Sequence, residues 1–499
     1  MEELNVDLSI NYTSLLTFIA YLLVVILIGV LTTRFSSKGV PEFFIGGRRM
    51  NRFVVALSAV VSGRSSWLLL GVSGMAYQIG ASAVWAVTGY IIMELFLFLF
   101  YARRLRRFSE KYDCITLPDF FVARFGDNNH ILRLTLTSII LIFMISYISA
   151  QFVAGGKAFS AGFGLESNTG LLVTATIVLL YTMLGGFLAV SITDMVQACF
   201  MILALLVLPV IAIMHQGGLD IVLKELQALD PRLIDPLAIS FGVAIGFLGI
   251  GLGSPGNPHI IARYMSIKDA EQLRTSAIVG TIWNVLMAWG ALFIGLAGRV
   301  YFPEVHALPG GDTENLYPFL AQHHLHPLLF GMVIASIFAA IMSTADSQLL
   351  VAASGIVRDI YEKIIVKGNI IEQKRLVILS RLSVFFLVAA AIVLALTARD
   401  LVFWLVLFAW AGLGASLGPT SVLALYWRRC TRAGILAGLL TGTITTIVWY
   451  NIPPLKSNLY ELIPAFFLSL IVTMLVSKFT VQPAEVGNKF KAMKSSTST

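Results

Sequence analysis

The chain has 499 residues, of which 58% are apolar and only 12% are charged. A soluble globular domain typically carries about 25% charged residues, so this chain has too few charges to cover a water-facing surface. Its 35 Lys and Arg residues against 27 Asp and Glu residues give a net charge of +8. The composition excludes a soluble or disordered chain and predicts a polytopic membrane protein. Its first expected partner is the lipid bilayer.

Long apolar runs predict membrane helices rather than a β-barrel. A span takes about 20 residues as a helix but only about 9–11 as a strand. Runs such as Leu15–Leu31, Met195–Met214 and Leu376–Leu396 are longer than strands and do not alternate polar with apolar residues. The sequence therefore predicts an all-α protein of about thirteen spans. They lie near 13–33, 53–76, 80–101, 131–158, 169–184, 188–215, 237–256, 276–300, 327–361, 376–397, 401–426, 433–450 and 458–477.

The basic residues are placed asymmetrically along the chain. Clusters of Lys and Arg follow the first, third, seventh, ninth and eleventh spans, and another lies in the tail. Cytoplasmic loops carry an excess of these residues, so the pattern predicts an external amino terminus and a cytoplasmic carboxyl terminus in the cell's inner (plasma) membrane. The clusters show no repeated pattern of aromatic and basic residues typical of nucleic-acid binding, and no nucleic-acid partner is expected.

Two spans contain interruptions that lipid would penalise. The segment 56–67 in the second span is rich in small and polar residues, and 249–258 in the seventh contains four Gly and two Pro. Non-helical backbone at membrane depth is tolerated only inside protein or beside a cavity. Interrupted spans in corresponding halves mark the binding site of a transporter. The alternative is that the glycines serve only close helix packing.

The interval between the two breaks is five spans, an odd number, which predicts halves of opposite orientation. We expect one membrane transporter domain over 1–499. An extra span at 13–33 precedes inverted repeats at 53–215 and 237–426, and two further spans at 433–477 precede a cytoplasmic tail at 478–499. This organisation favours a secondary active transporter that works by alternating access as a monomer. A channel and a transporter-like sensor are the alternatives. An enzyme is not expected, because no Ser-His-Asp order, phosphate loop or zinc spacing is present.

Several motifs carry a family resemblance. They are Phe44–Arg48, Ala56–Ala59, Trp67–Gly71, Leu117–Phe120, Gly185–Asp194, Val196–Ala198, Asn257–Arg263, Ala339–Thr344, Trp410–Gly412 and Gly418–Pro419. In this order they resemble the sodium:solute symporter family, and within it the bacterial sodium/proline symporters. The resemblance implies a thirteen-span fold with a five-plus-five inverted-repeat core of the leucine-transporter type. It also implies import of a small-molecule solute, with proline or a related amino acid as the first candidate. The implied coupling ion is sodium, and no cofactor is implied.

The resemblance also implies site residues. The main sodium site maps to hydroxyls of Ser343 and Thr344 and to carbonyls of Ala59, Arg64 and Ala340. A second ion site maps to Asp194 and to the region of Asp346 and Ser347. The solute site maps to Tyr147, Ile250, Ser254, Pro258, Trp67 and Gln151.

Three departures from the family pattern bear on coupling. Where the proline symporters typically have an acidic residue, this chain has Gly63. A cation, Arg64, follows it, and a serine of those symporters is replaced by Asp346. A charged residue at membrane depth is a functional hypothesis by default. We expect Arg64 to pair with Asp346 or Asp194, with its guanidinium in or beside the main sodium site as a tethered substitute for the ion.

Other roles for these charges stay open. Arg64 could extend to a water layer, or bind a solute carboxylate through paired hydrogen bonds. Uptake could then be independent of sodium, or coupled to a proton carried by Asp194 or Asp346. The solute could also be another amino acid or a small carboxylate, because aromatic residues typical of the proline symporters are replaced by Ile250 and Ser254.

Overall fold

The computed structural model describes residues 11–367, 371–398 and 400–493. Within these residues the chain is helical and forms no strand; the single exception is an isolated bridge between Met50 and Ile267. Residues 1–10, ahead of the first span, and 494–499 of the predicted tail lie outside the described residues.

Thirteen helical units that correspond to the predicted spans follow one another along the described chain. They are α1 (Tyr12–Ser36), α2 (Arg52–Gly63, Trp67–Val72 and Ser73–Ile79), α3 (Val84–Phe96, Leu97–Tyr101 and Ala102–Lys111), α4 (Ile131–Phe163), α5 and α6 (the two parts of Ser167–His215), α7 (Phe241–Leu248, Gly249–Gly256 and Pro258–Ser266), α8 (Leu273–Tyr301), α9 (Pro327–Ser354, continuing through Gly355–Ile365), α10 (Gln373–Thr397), α11 (Val402–Tyr426), α12 (Arg432–Tyr450) and α13 (Leu462–Phe479). Shorter helices lie between them: Val40–Ile45, Leu117–Phe125, Leu219–Leu229, Leu316–His324, Pro453–Asn458 and Ala484–Lys489.

The predicted all-α fold is confirmed. Ten helical segments of the described chain are long and apolar enough to cross a membrane. Two of the ten each hold parts of two spans: one continues from the second half of α2 through α3, and the other joins α5 to α6. The α5–α6 segment bends at Gly186, whose φ of 59° and ψ of −166° lie in a region that only glycine adopts freely.

The helices divide into a buried centre and a lipid-exposed periphery. Every residue of α9 from Val333 to Leu350 is buried. In α10, by contrast, Phe386 and Val393 are 67% and 68% exposed. Helices α2 and α11 and the part of α7 from Gly249 onward are also mostly buried. The apolar surface of α10 suits contact with lipid tails.

The basic loops meet at one end of the molecule. Ion pairs join residues in these loops or at the helix ends beside them: Arg48–Asp113, Arg103–Glu271, Arg358–Asp119 and Arg432–Asp127. These contacts place the loops after α1, α3, α7, α9 and α11 on the same side, as the alternation of basic clusters requires.

Asp119 is a buried acid at this end, outside the membrane helices. It lies in the first turn of helix Leu117–Phe125, 2.7 Å from Nη1 of Arg133 and 3.3 Å from Nε of Arg358. Burial raises the pKa of the Asp119 carboxyl, but the two guanidiniums together lower it by more than burial raises it. The pKa of Asp119 therefore lies below its usual value.

Candidate ion and solute site

Helix α2 is interrupted after Gly63, at a buried position in the middle of the span. Arg64 has φ −110° and ψ 19°, and helical structure then resumes with the wide turns of Trp67–Val72. The last carbonyls of a helix lack partners within that helix and carry partial negative charge. The break therefore presents carbonyl oxygens inside the protein, where they can bind a cation or a hydrogen-bond donor.

Helix α7 is broken at a corresponding place. Its middle, Gly249–Gly256, is a 3₁₀ segment, and Asn257 is extended before the helix resumes at Pro258. Its glycines are also needed for packing. A Cβ at Gly251 would lie 2.1 Å from the carbonyl oxygen of Gly89, and one at Gly253 would lie 2.0 Å from Nε1 of Trp410. The segment is thus both unwound and closely packed, between α3 and α11.

Two hydroxyls of α9 face the broken end of α2. Ser343 Oγ donates to the carbonyls of Val61, at 3.4 Å, and Ala340, at 3.2 Å. Thr344 Oγ1 donates to the carbonyl of Ser62 at 3.1 Å. All of these groups are buried, as is Ala59 one turn earlier in α2. The region offers hydroxyl and carbonyl oxygens, the ligand type that a hard cation such as sodium prefers.

The Arg64 side chain forms a separate buried network. Its guanidinium bonds Glu94 of α3, and its Nε donates to Oδ1 of Asn284 in α8 at 2.7 Å. Asn284 Nδ2 donates in turn to the same Glu94 oxygen at 2.5 Å. The guanidinium also lies 3.6 Å from the ring centroid of Tyr90 and donates to the carbonyl of Gly63. The network combines an ion pair, an amide bridge and a cation–π contact.

The expected pairing of Arg64 with Asp346 or Asp194 is wrong. The Arg64 side chain extends toward α3 and α8, whereas Asp346 lies on α9 and Asp194 on α6. Sequence reasoning missed Glu94, although it is the single charged residue in the predicted span 80–101. An isolated acid at membrane depth could have indicated a partner for Arg64.

Asp194 pairs instead with Arg263, a motif residue to which the sequence assigned no role. Arg263 Nη2 lies 3.2 Å from Asp194 Oδ2, and Ser58 Oγ donates to the same oxygen at 2.6 Å. Arg263 also bonds Ser347, whose hydroxyl donates to Asp346 Oδ1 at 3.1 Å. The predicted second ion site thus contains a guanidinium from this chain.

A small central cavity of about 10 Å³ lies between the two breaks. It is lined by Gly63, Arg64, Trp67, Tyr90, Tyr147, Ile250, Val406, Leu407 and Trp410. Three of the six predicted solute residues, Trp67, Tyr147 and Ile250, lie on its wall.

The other three predicted solute residues lie elsewhere. Gln151 Oε1 accepts from the amide and the hydroxyl of Ser66, at 3.2 Å and 2.9 Å, just behind the cavity. Ser254 is buried in the 3₁₀ segment, and its hydroxyl has no partner within the described part of the chain. Pro258 lines a different cavity, which also contains Asp359.

Two further aromatic residues of the central cavity, Tyr90 and Trp410, were not expected there. Tyr90 of α3 makes an edge contact with Trp67 at 5.7 Å, and Trp410 of α11 donates from Nε1 to the carbonyl of Ile250 at 2.8 Å. The replacement of aromatic residues at Ile250 and Ser254 therefore does not leave the cavity without aromatic walls.

Two solved structures resemble this fold. A Na⁺-coupled sialic acid symporter in a substrate-bound outward-open state aligns with a TM-score of 0.80 at 18% identity, over 95% of this chain and 99% of that one. A nucleobase-cation-symport-1 family transporter in a closed conformation aligns with a TM-score of 0.54 at 15% identity, over 91% of this chain and 99% of that one. These likenesses support the leucine-transporter type of fold.

Sequence comparison places the chain in a family. Sodium/proline symporters from Staphylococcus aureus strains JH9 and COL are each 38% identical over 491 residues, covering 96% of this chain and 95% of theirs. The model of the sodium:solute symporter family matches residues 43–442. This chain therefore belongs to the sodium:solute symporter family and is a membrane transporter rather than an enzyme.

Proposed function

We propose that the protein imports proline, or a closely related amino acid, by sodium symport and alternating access. The observation that carries this proposal is the pairing of the α2 break with the α9 hydroxyls, directly beside a central cavity with aromatic walls. The 38% identity to sodium/proline symporters supports proline as the first solute to test.

Sodium is proposed to bind among Ser343, Thr344 and the carbonyls at the end of α2. Its binding would replace the two hydroxyl-to-carbonyl bonds that now join α9 to α2. Arg64 does not fill this role in our proposal, because its guanidinium is already held by Glu94 and Asn284. Its positive charge is balanced locally, which leaves the oxygen site available to an external cation.

The carboxylate of the solute is proposed to bind where the second half of α2 begins. Helix N-termini favour anions because their first amides point outward. Here the amide of Ser66 donates to Gln151 Oε1, and the amide of Trp67 donates to Ser65 Oγ at 3.2 Å. These neutral acceptors occupy the positions that carboxylate oxygens would take. The apolar ring of proline would then contact Trp67, Tyr147 and Trp410.

Alternating access is supported by the closed state of the centre. A cavity of about 10 Å³ holds at most one water molecule, so a solute can enter only after the surrounding helices move. Phe403 of α11 stacks on Trp67 with ring centroids 5.7 Å apart and makes an edge contact with Phe247 of α7 at 6.2 Å. We propose that this aromatic contact separates the centre from the outer side and opens to admit the solute.

Uptake of labelled proline into proteoliposomes tests the proposal. An inward sodium gradient should drive accumulation, and choline in its place should abolish it. Tyr147→Phe should raise the KM for proline about threefold to tenfold, because it removes a hydroxyl that lies 3.3 Å from Ser65 Oγ. Tyr77→Phe, which removes a bond to the Phe302 carbonyl outside the central cavity, should leave KM unchanged.

If labelled proline is not taken up, uptake of other labelled amino acids and of small carboxylates, each tested in turn, identifies the substrate. Sodium-driven accumulation of one of them would redirect the substrate assignment without affecting the sodium site. Accumulation driven by a proton gradient in choline medium would instead favour proton coupling and contradict the sodium proposal.

A further inference from the structure

A large cavity lies at the end of the molecule opposite the basic loops. It has a volume of about 530 Å³, within the range of small-molecule sites. We call it the vestibule. It lies between the second half of α2, the first half of α7, the start of α11 and the segment that joins α12 to α13. Its lining combines apolar side chains with a polar rim: Met75, Gln78, Ile79, Ile239, Val243, Gly246, Phe247, Trp404, Leu407, Pro453, Lys456, Ser457, Asn458, Leu459, Tyr460 and Glu461.

The vestibule is a chamber distinct from the central cavity. Leu407 lines both spaces. Phe247 lines only the vestibule and contacts Phe403, which stacks on Trp67 of the central cavity. A molecule can therefore occupy the vestibule while the centre remains closed.

Glu461 is the unusual group in this lining. Glu461 is only 3% exposed. It directly precedes α13, but its side chain makes no capping hydrogen bond to that helix. Among the described residues its carboxyl accepts no hydrogen bond from another residue and forms no ion pair. A buried charge without a partner is costly, so this carboxylate suits a cationic ligand in the vestibule.

The surroundings of Glu461 favour an organic cation over a bare metal ion. Trp404 and Tyr460 offer aromatic surface, on which ammonium groups are stabilised. Met75, Val243 and Phe247 suit an apolar body of the ligand. Of the residues that the structure describes, Lys456 is the one basic side chain in the vestibule lining, and its Nζ lies 3.8 Å from the ring centroid of Tyr450.

We propose that the vestibule binds a small organic ammonium compound with an apolar body, using Glu461 as its counter-ion. This site is separate from the proposed proline site and does not depend on it. A compound that binds here without entering the centre would block the outer path of the transporter.

The pH dependence of binding follows from the same carboxyl. Burial raises the pKa of Glu461 to about 7. Within the described part of the chain, the other titratable or charged groups around it are Lys456, Tyr460 and Tyr450, and the Tyr450 hydroxyl donates to Asp400. Because the ligand needs the ionised carboxylate, binding should weaken about tenfold between about pH 8 and about pH 6.

Calorimetric titration of the purified full-length protein with phenethylamine tests the proposal. Wild type should bind one equivalent at about pH 8, and Glu461→Gln should weaken binding about tenfold, as expected for loss of a charge-assisted contact. Lys456→Gln should bind equally or more tightly, because it removes a like charge. Tyr147→Phe, a change in the central cavity, should bind as wild type does.

The neutral analogue phenethyl alcohol provides a test that needs no variant. It should bind wild type at least tenfold more weakly than the amine and show no pH dependence. Equal binding of alcohol and amine, equal binding by Glu461→Gln, or no binding of the amine would overturn the proposal. Proline uptake is measured separately, so a failure of the vestibule site is distinguishable from a failure of the proposed function.

Discussion

Neutralising Glu94 should leave the Arg64 guanidinium buried without its counter-ion. Both side chains are almost fully enclosed, with 2% and 4% of their surfaces exposed. In Glu94→Gln the guanidinium keeps Asn284, the carbonyl of Gly63 and the ring of Tyr90. These contacts solvate the charge in part but do not neutralise it.

The magnitude follows from this enclosure. Breaking a buried pair by removing one partner typically costs about 3–5 kcal/mol, whereas replacing both partners with neutral groups of similar volume is often close to neutral. Because three contacts to the guanidinium remain, we expect Glu94→Gln to cost about 3 kcal/mol, at the lower end of that range. The double variant Arg64→Met/Glu94→Gln should recover most of this loss.

A double-mutant cycle measures the effect. The free energy of unfolding in mixed detergent micelles is determined for wild type, Glu94→Gln, Arg64→Met and the double variant. The matched control is the exposed pair Arg103–Glu271, whose side chains are 46% and 60% exposed. The same cycle on that pair should give a coupling energy below about 1 kcal/mol. Additive losses for Arg64 and Glu94, with no recovery in the double variant, would refute the pairing.

Three further outcomes are expected. Ser343→Ala should raise the sodium concentration for half-maximal uptake about tenfold or more, because one oxygen ligand is lost; an unchanged sodium dependence in the uptake assay would place the ion elsewhere. Gly89→Ala should abolish uptake or folding, since its Cβ would lie 1.8 Å from the carbonyl oxygen of Leu248, whereas Gly487→Ala meets nothing closer than 3.8 Å and should be silent in the same assays. Asp119→Asn should cost about 2–4 kcal/mol of unfolding free energy near neutral pH. Since the folded-state pKa of Asp119 lies below its unfolded value of about 3.9, this cost should shrink as pH falls below about 4, and a cost that grows in acid would contradict the ion-pair assignment.

Much of the fold could be predicted from sequence because the bilayer imposes simple length and polarity rules. The apolar runs located the spans, and Gly and Pro at 249–258 located the break in α7. The extension of α3 to Lys111 was harder to predict, because a basic amphipathic segment continues the helix beyond the apolar run. Its start at Val84 lies four residues after the predicted start at position 80. The bounds of the two repeats stay predictions.

The candidate site was only partly predictable. The hydroxyls of Ser343 and Thr344 could be placed from the family motif, and the structure puts them opposite the α2 break. The partner of Arg64 could not, because a residue at a helix break can extend in several directions. Only the packing of α3 and α8 selects Glu94 and Asn284. Tyr90 and Trp410 were missed as cavity walls because only the packing of α3 and α11 places them beside the cavity.

The most direct test of the central claim is proline-driven entry of radioactive sodium into proteoliposomes that hold the purified protein. We predict that external proline increases sodium entry in wild type and that Ser343→Ala/Thr344→Ala abolishes this increase, while Tyr77→Phe preserves it. Proline uptake that proceeds at full rate without any sodium entry would contradict the account.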